Sequence, residues 1–268
     1  MIKSKGYDKL ILGQTSELFI LKEIVLKRGV CMLSYDDIML FFTIYSFLGW
    51  ALESIFASIN KREFVNRGFL NGFLCPIYGF GAILTVQFSS LLLHLLGNNL
   101  YMVCLNLFIT VISVTILEYI TGFLLETIFN CRWWDYSNNK INLKGYICLK
   151  FSLIWGLLTI LLIKLIHPFV FKLVAAIPVS YKNIFTILLL LYFLIDLTNS
   201  VYDALDLCNF ISNYTYNFPI KKIKKYKRFF NAFPGLIIYY SKIINKDIRS
   251  VLNDKVDKIK MEFKTRFL

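Results

Sequence analysis

Two glutamates, Glu118 and Glu126, stand in an apolar run from Tyr101 to Phe129 that carries no other charge. With Gly122 between them they fall at i, i+4 and i+8, one stripe of a helix. An ionised carboxylate is costly in hydrocarbon, so such side chains face protein or a polar cavity and mark a functional surface. Two on one stripe can share a proton or bind a cation. The plainer alternative pairs Glu126, near the end of the run, with Arg132. A third carboxylate, Glu53, shares a helical face with Ser46, Gly49, Trp50 and Ala57, whose small members permit close helix contact. In a later run, Asp196, Asn199, Ser200 and Asp203 form a further polar face. Glu53, Asn71, Glu118, Glu126 and Asp196 are therefore the candidates for a substrate or ion pathway. Arg67 and the motif Arg132-Trp133-Trp134-Asp135-Tyr136 are candidates for an interface, because a tryptophan pair at the end of a spanning helix is suited to anchoring there.

Other chemistries find little support. Cys31, Cys75, Cys104, Cys131, Cys148 and Cys208 are scattered, with no CxxC or Cys/His spacing, and His94 and His167 have no ligand-spaced partner. No metal, cofactor or catalytic set is expected. Gly79-x-Gly81 lacks the third glycine and the preceding strand of a nucleotide fingerprint.

The elements that must position these residues are membrane helices. The chain of 268 residues is 57% hydrophobic and 18% charged, against about 45–50% and 25% in soluble domains. Its net charge of +13 lies mostly outside the apolar runs, which fits an anionic membrane surface and not nucleic acid. The expected fold is all-α, a polytopic transmembrane bundle of about five spans. They are Ile38–Ile59, a second ending near Leu96, Leu100–Phe129, Ile147–Val170 and Asn183–Leu205. The second span opens on Arg67–Gly81, where four glycines and Pro76 point to a kinked or broken helix packed inside the bundle, the plainer alternative being that the glycines serve tight helix packing. Lys164, near the end of the fourth span, can snorkel, and His167-Pro168 marks that end.

Three regions follow: an N-terminal extension (1–35), the membrane domain (36–205) and a basic tail (206–268). In the extension, Lys27-Arg28-Gly29 can be encoded by a purine-rich run like a ribosome-binding site, which would make Met32 the start; the alternative is that the extension is translated and forms an amphipathic surface helix. The tail holds 14 Lys/Arg against 5 Asp/Glu. Ile244, Ile248, Leu252, Val256, Ile259 and Phe263 predict an amphipathic helix there. The Lys/Arg distribution puts the links after spans one and three, and the tail, on the cytoplasmic side.

Phe42–Glu53, Asn66–Gly81, Leu117–Glu126, Arg132–Ser137 and Ile147-Cys148-Leu149, in that order and spacing, resemble the bacterial family named putative ABC-transporter type IV. The resemblance spans roughly 36–205. It implies a transporter-like component of the bacterial cytoplasmic membrane. The chain has no GxxxxGK[ST] phosphate loop. The implied role is thus a permease-like part, with ATP hydrolysed by a separate ATP-binding subunit that meets the inner links near Arg62, Arg67 and Arg132. The other expected partners are the bilayer and, through the tail, anionic lipid head groups. Two alternatives stand beside it. One is an integral-membrane enzyme acting on lipid head groups, with Glu126, Arg132, Asp135 and Tyr136 as acid/base pair and anion clamp. The other is a membrane scaffold or sensor whose buried polar residues only specify packing.

Overall fold

The structure is a computed structural model that describes residues 34–96, 100–213, 226, 228–229, 231–233 and 237–238. The readings of the N-terminal extension before Ser34 and of the helix through Ile244 to Phe263 lie outside these residues.

Five helices account for the membrane region: α1 (Tyr35–Lys61), α2 (Pro76–Leu96), α3 (Leu100–Phe129), α4 (Leu149–Ala176) and α5 (Val179–Asn213). Four of them, α1, α3, α4 and α5, are long and apolar enough to cross a membrane, and α2 carries a shorter apolar stretch, Pro76–Leu92. The all-α bundle expected from the sequence is the fold.

Local chemistry sets the helix ends. Ser34 caps α1 by accepting from the Asp37 N–H at 3.1 Å, and Asp36 and Asp37 sit in its first turn, where carboxylates suit the helix dipole. Arg62, at φ 55°, closes it. Asn130, at φ 52°, turns the chain out of α3. Pro76 starts α2, where its missing N–H costs nothing.

Pro168 does not end α4. The helix passes through it and runs on to Ala176, because residues Leu162–Ile166 are π-helical and the His167 N–H donates to the Leu162 carbonyl. The wider turn just before the proline makes room for a ring that would otherwise strike the carbonyl of Lys164. Lys164 is therefore not near the end of its helix. It is exposed within the π segment, about 18 Å from Ala176 along the axis.

Helix α1 packs on α2, on α5 and on the last part of α4, while α2 packs on α3 and α3 on α4. One apolar cluster joins Leu40, Phe41 and Tyr45 of α1 to Ala82, Val170 and Val174. Nearby, Lys182 pairs with Asp37 at 2.6 Å.

The opposite end gathers the links after α1 and α3 and the segment after α5. Lys61 Nζ donates to the Asn231 carbonyl at 2.7 Å. Strand β1 (Cys131–Arg132) pairs antiparallel with β4 (Ile237–Ile238), and β2 (Asn142–Leu143) with β3 (Ile147–Cys148). Trp133 is only 4% exposed here, packed with Phe129, Cys131, Ala204, Leu207, Tyr226 and Phe229. It is a core ring at this end of the bundle. Its partner Trp134 is half-buried, with its Nε1–H on the Tyr146 carbonyl at 2.8 Å.

Candidate functional site

The glycine-rich stretch is a re-entrant segment. After Arg62 the chain turns back along α1 until the Cys75 N–H reaches the Ser46 carbonyl at 3.0 Å. Ser46 lies about 22 Å from Lys61 at about 1.5 Å per residue, so α2 begins deep inside the bundle. Irregular backbone at such depth persists only if protein satisfies its polar groups. Asn66 does much of this. Its Nδ2 donates to the Asn71 carbonyl at 2.8 Å and the Gly72 carbonyl at 3.3 Å, and its Oδ1 accepts from Trp50 Nε1 at 2.9 Å and the Gly68 N–H at 3.1 Å.

Helix α5 supplies the acceptors from the other side. The Asn71 N–H donates to Ser200 Oγ at 2.8 Å, and its side chain to Asp203 Oδ2 at 3.0 Å. The Gly72 N–H reaches both Asp196 oxygens, at 3.1 and 3.0 Å. A Cβ on Gly72 would run into Tyr192 Oη and Asp196. Three carbonyls, of Gly68, Phe69 and Leu70, accept from the Arg228 guanidinium at 3.1, 3.0 and 2.7 Å. Burial lowers the Arg228 pKa, and Asp196 and Asp203 oppose that shift. Asn199 does not join Asp196, Ser200 and Asp203. Three residues after Asp196 it turns outward and is exposed.

Above this segment a polar line crosses the bundle. Arg67 Nε pairs with Glu53 Oε2 at 3.3 Å, and the Tyr78 hydroxyl donates to Glu53 Oε1 at 2.6 Å. The Tyr78 and Trp155 rings meet with centroids 5.4 Å apart, and Trp155 Nε1 donates to Glu118 Oε2 at 2.9 Å. The Tyr136 hydroxyl approaches Glu118 Oε1 at 3.4 Å, its ring stacked on Phe151 at 4.6 Å. Burial and then the Glu118 charge push that hydroxyl above the usual phenol range, so it remains the donor. Tyr78 fits because Gly49 faces it, where a Cβ would overlap the ring.

A cavity of about 120 Å³ opens beside this line, walled by α1–α4 and including Tyr45, Gly49, Tyr78, Gly81, Glu118 and Trp155. Glu118 is 4% exposed. It accepts from two neutral donors, and among the described residues no cationic side chain pairs with it. Such a carboxylate can take a proton or a cation.

Glu126 has different company. Arg132 Nε pairs with its Oε2 at 2.8 Å and Arg132 NH1 with Asp135 Oδ1 at 3.3 Å, while the guanidinium lies 4.9 Å from the Tyr146 ring centre. Asp135 also accepts from Ser137 N and Oγ at 3.0 and 2.9 Å. Gly145, at φ +75°, leaves room for Asp135 and Arg132, which a Cβ would strike. Glu118 and Glu126 thus do not meet, being about 12 Å apart along α3. The structure links Glu53 with Glu118 through Tyr78 and Trp155, and sets Asn71 and Asp196 against one another in the re-entrant segment.

Tyr78, Trp155, Asn66 and Arg228 were not among the sequence candidates. Trp155 and Tyr78 sit in apolar runs and count there as filler. Their polar atoms matter only because α1 and α3 present carboxylates to them. Asn66 and Arg228 act on backbone distant in the chain, and no local pattern marks that.

No curated protein and no solved structure matches the chain. Residues 40–201, more than half of its length, match the model of the family described as "Putative ABC-transporter type IV", and the chain belongs to that family.

Proposed function

We propose that this chain is a permease-like component of an ABC-type transporter in the bacterial cytoplasmic membrane, moving its substrate past the Glu118 cavity while a separate ATP-binding subunit hydrolyses ATP. The observation that carries the reading is Glu118 itself: a buried carboxylate without a cationic partner among the described residues, on a cavity between four helices. A carboxylate kept only for packing would be expected to be paired, as Glu126 is. The chain lacks a GxxxxGK[ST] loop, so the ATPase is sought on another chain. The basic end, with Arg62 exposed on the link after α1, is the surface offered to that subunit. The surplus of Lys/Arg in the tail sequence suits anionic head groups as its partner. Arg132 is engaged by Glu126 and Asp135, which leaves the head-group enzyme without its anion clamp.

The test is purification of the native complex in mild detergent. An ATP-hydrolysing subunit that stays bound to the 36–205 region is expected, its turnover altered at least several-fold by Glu118→Gln in a chain that still inserts. A chain that purifies without an ATPase, together with altered lipid head groups in a deletion strain, would overturn the reading.

A further inference from the structure

We propose that the cavity beside Glu118 is a binding site for a small organic cation, an alkylammonium ion of up to about four or five heavy atoms. The assignment deepens the transport reading and rests on it for its biological use, although binding itself can be measured alone.

The argument begins with what the aromatic residues of the wall do with their polar atoms. Tyr78 gives its hydroxyl to Glu53, Trp155 gives its N–H to Glu118, and the Tyr45 hydroxyl is bonded to His167 Nδ1 at 2.6 Å. All three rings line the cavity with those groups committed elsewhere, so they offer it aromatic carbon. Ring faces carry negative quadrupole charge and attract cations, more strongly where water is excluded. When ionised, Glu118 adds a negative charge to the same wall.

Charge and donor supply then sort the ligands. An anion would meet Glu118 and no lysine or arginine in the lining. A neutral apolar molecule would leave the carboxylate uncompensated. A hard inorganic cation wants about six or more oxygen ligands, whereas among the described residues no group of three His, Cys, Asp or Glu comes together to hold a metal. An alkylammonium ion needs one counter-charge and otherwise carbon contact, and this wall supplies both. Size follows from volume: a cavity of about 150 Å³ accommodates benzene, so about 120 Å³ suits an ion somewhat smaller than benzene, such as trimethylammonium.

The experiment titrates purified full-length protein in nanodiscs with trimethylammonium chloride, methylammonium chloride, sodium chloride and neutral neopentyl alcohol, read by calorimetry and tryptophan emission. Saturable binding of one or both ammonium ions is expected, at least ten-fold tighter than sodium or the alcohol. Glu118→Gln should weaken it at least ten-fold, and Trp155→Leu should do likewise. If Glu118→Gln does not yield folded protein, the wild-type selectivity decides alone. No saturable ammonium binding, equal binding of the alcohol, or unchanged affinity in folded Glu118→Gln would overturn the proposal. Loss of ATPase coupling in Glu118→Gln without ammonium binding would sink the cation site and spare the transport reading. Ammonium binding in a chain with no ATPase would do the reverse.

Discussion

Asn66 ties four groups to one side chain: the Trp50 N–H, the Gly68 N–H and the carbonyls of Asn71 and Gly72. Each buried polar group left without a partner costs about 1–3 kcal/mol. Asn66→Ala is therefore expected to destabilise the protein by about 2–5 kcal/mol, water recovering part of the loss, measured as a lower midpoint of thermal unfolding in detergent. Asn66→Asp keeps the acceptor but sets a carboxylate oxygen against the Asn71 and Gly72 carbonyls, and should destabilise at least as much. At this scale the acidic residues were legible in the sequence, because a carboxylate in an apolar run has few places to go. Glu53 and Glu118 both turn into the bundle. Their partners were not legible, since an indole or phenol in an apolar run is indistinguishable from packing until the neighbouring helix is known.

At the scale of elements, four glycines and Pro76 pointed to a kinked or broken second helix or to tight helix packing. They did not announce that the chain returns to the level of Ser46, which long-range bonds to Ser46, Asp196, Ser200 and Arg228 decide. The end of α4 was misplaced for a related reason. Proline is a stop signal only in a regular α-helix, and the π-helical turn before Pro168 removes the clash. A second element-level contact joins the exit of α3 to the end of α5, where Cys131 Sγ and Cys208 Sγ lie 2.7 Å apart. The Cys208 hydrogen bond, then burial, raises the Cys131 pKa, so the thiol stays protonated and slow to alkylate near neutral pH. Copper-phenanthroline treatment of membranes is expected to join the pair. Protein cleaved between α4 and α5 should then migrate as one species without reductant and as two with it. Cys208→Ser should abolish the joined species.

For the whole molecule, the charge pattern and the packing point to one axis. The links after α1 and α3 and residues Tyr226–Ile238 meet at one end, and the Asp37–Lys182 pair lies towards the other. Lys/Arg counting puts the first end in the cytoplasm. In a cysteine-free background, Asn138→Cys, exposed on the α3–α4 link, should react with a membrane-impermeant maleimide only after permeabilisation. Ser180→Cys, exposed at the start of α5, should react in intact cells. The opposite pattern would invert the molecule. The bundle could be read from composition. The folding of post-α5 residues against the re-entrant segment could not, because Arg228 sits in a basic run that looks like any head-group contact.

The wide turn at Leu162–Ile166 has a bearing on natural length variation. It accommodates one residue beyond what an uninterrupted α-helix would place between Trp155 and His167. Removing one position there would restore an uninterrupted α-helix with Trp155 and His167 in the same relative phase, so the bonds to Glu118 on α3 and Tyr45 on α1 would both be kept. The Pro168 ring would then strike the carbonyl four residues before it. A chain shortened by one residue in this stretch is therefore expected to keep the Glu118 hollow only where the proline is replaced as well.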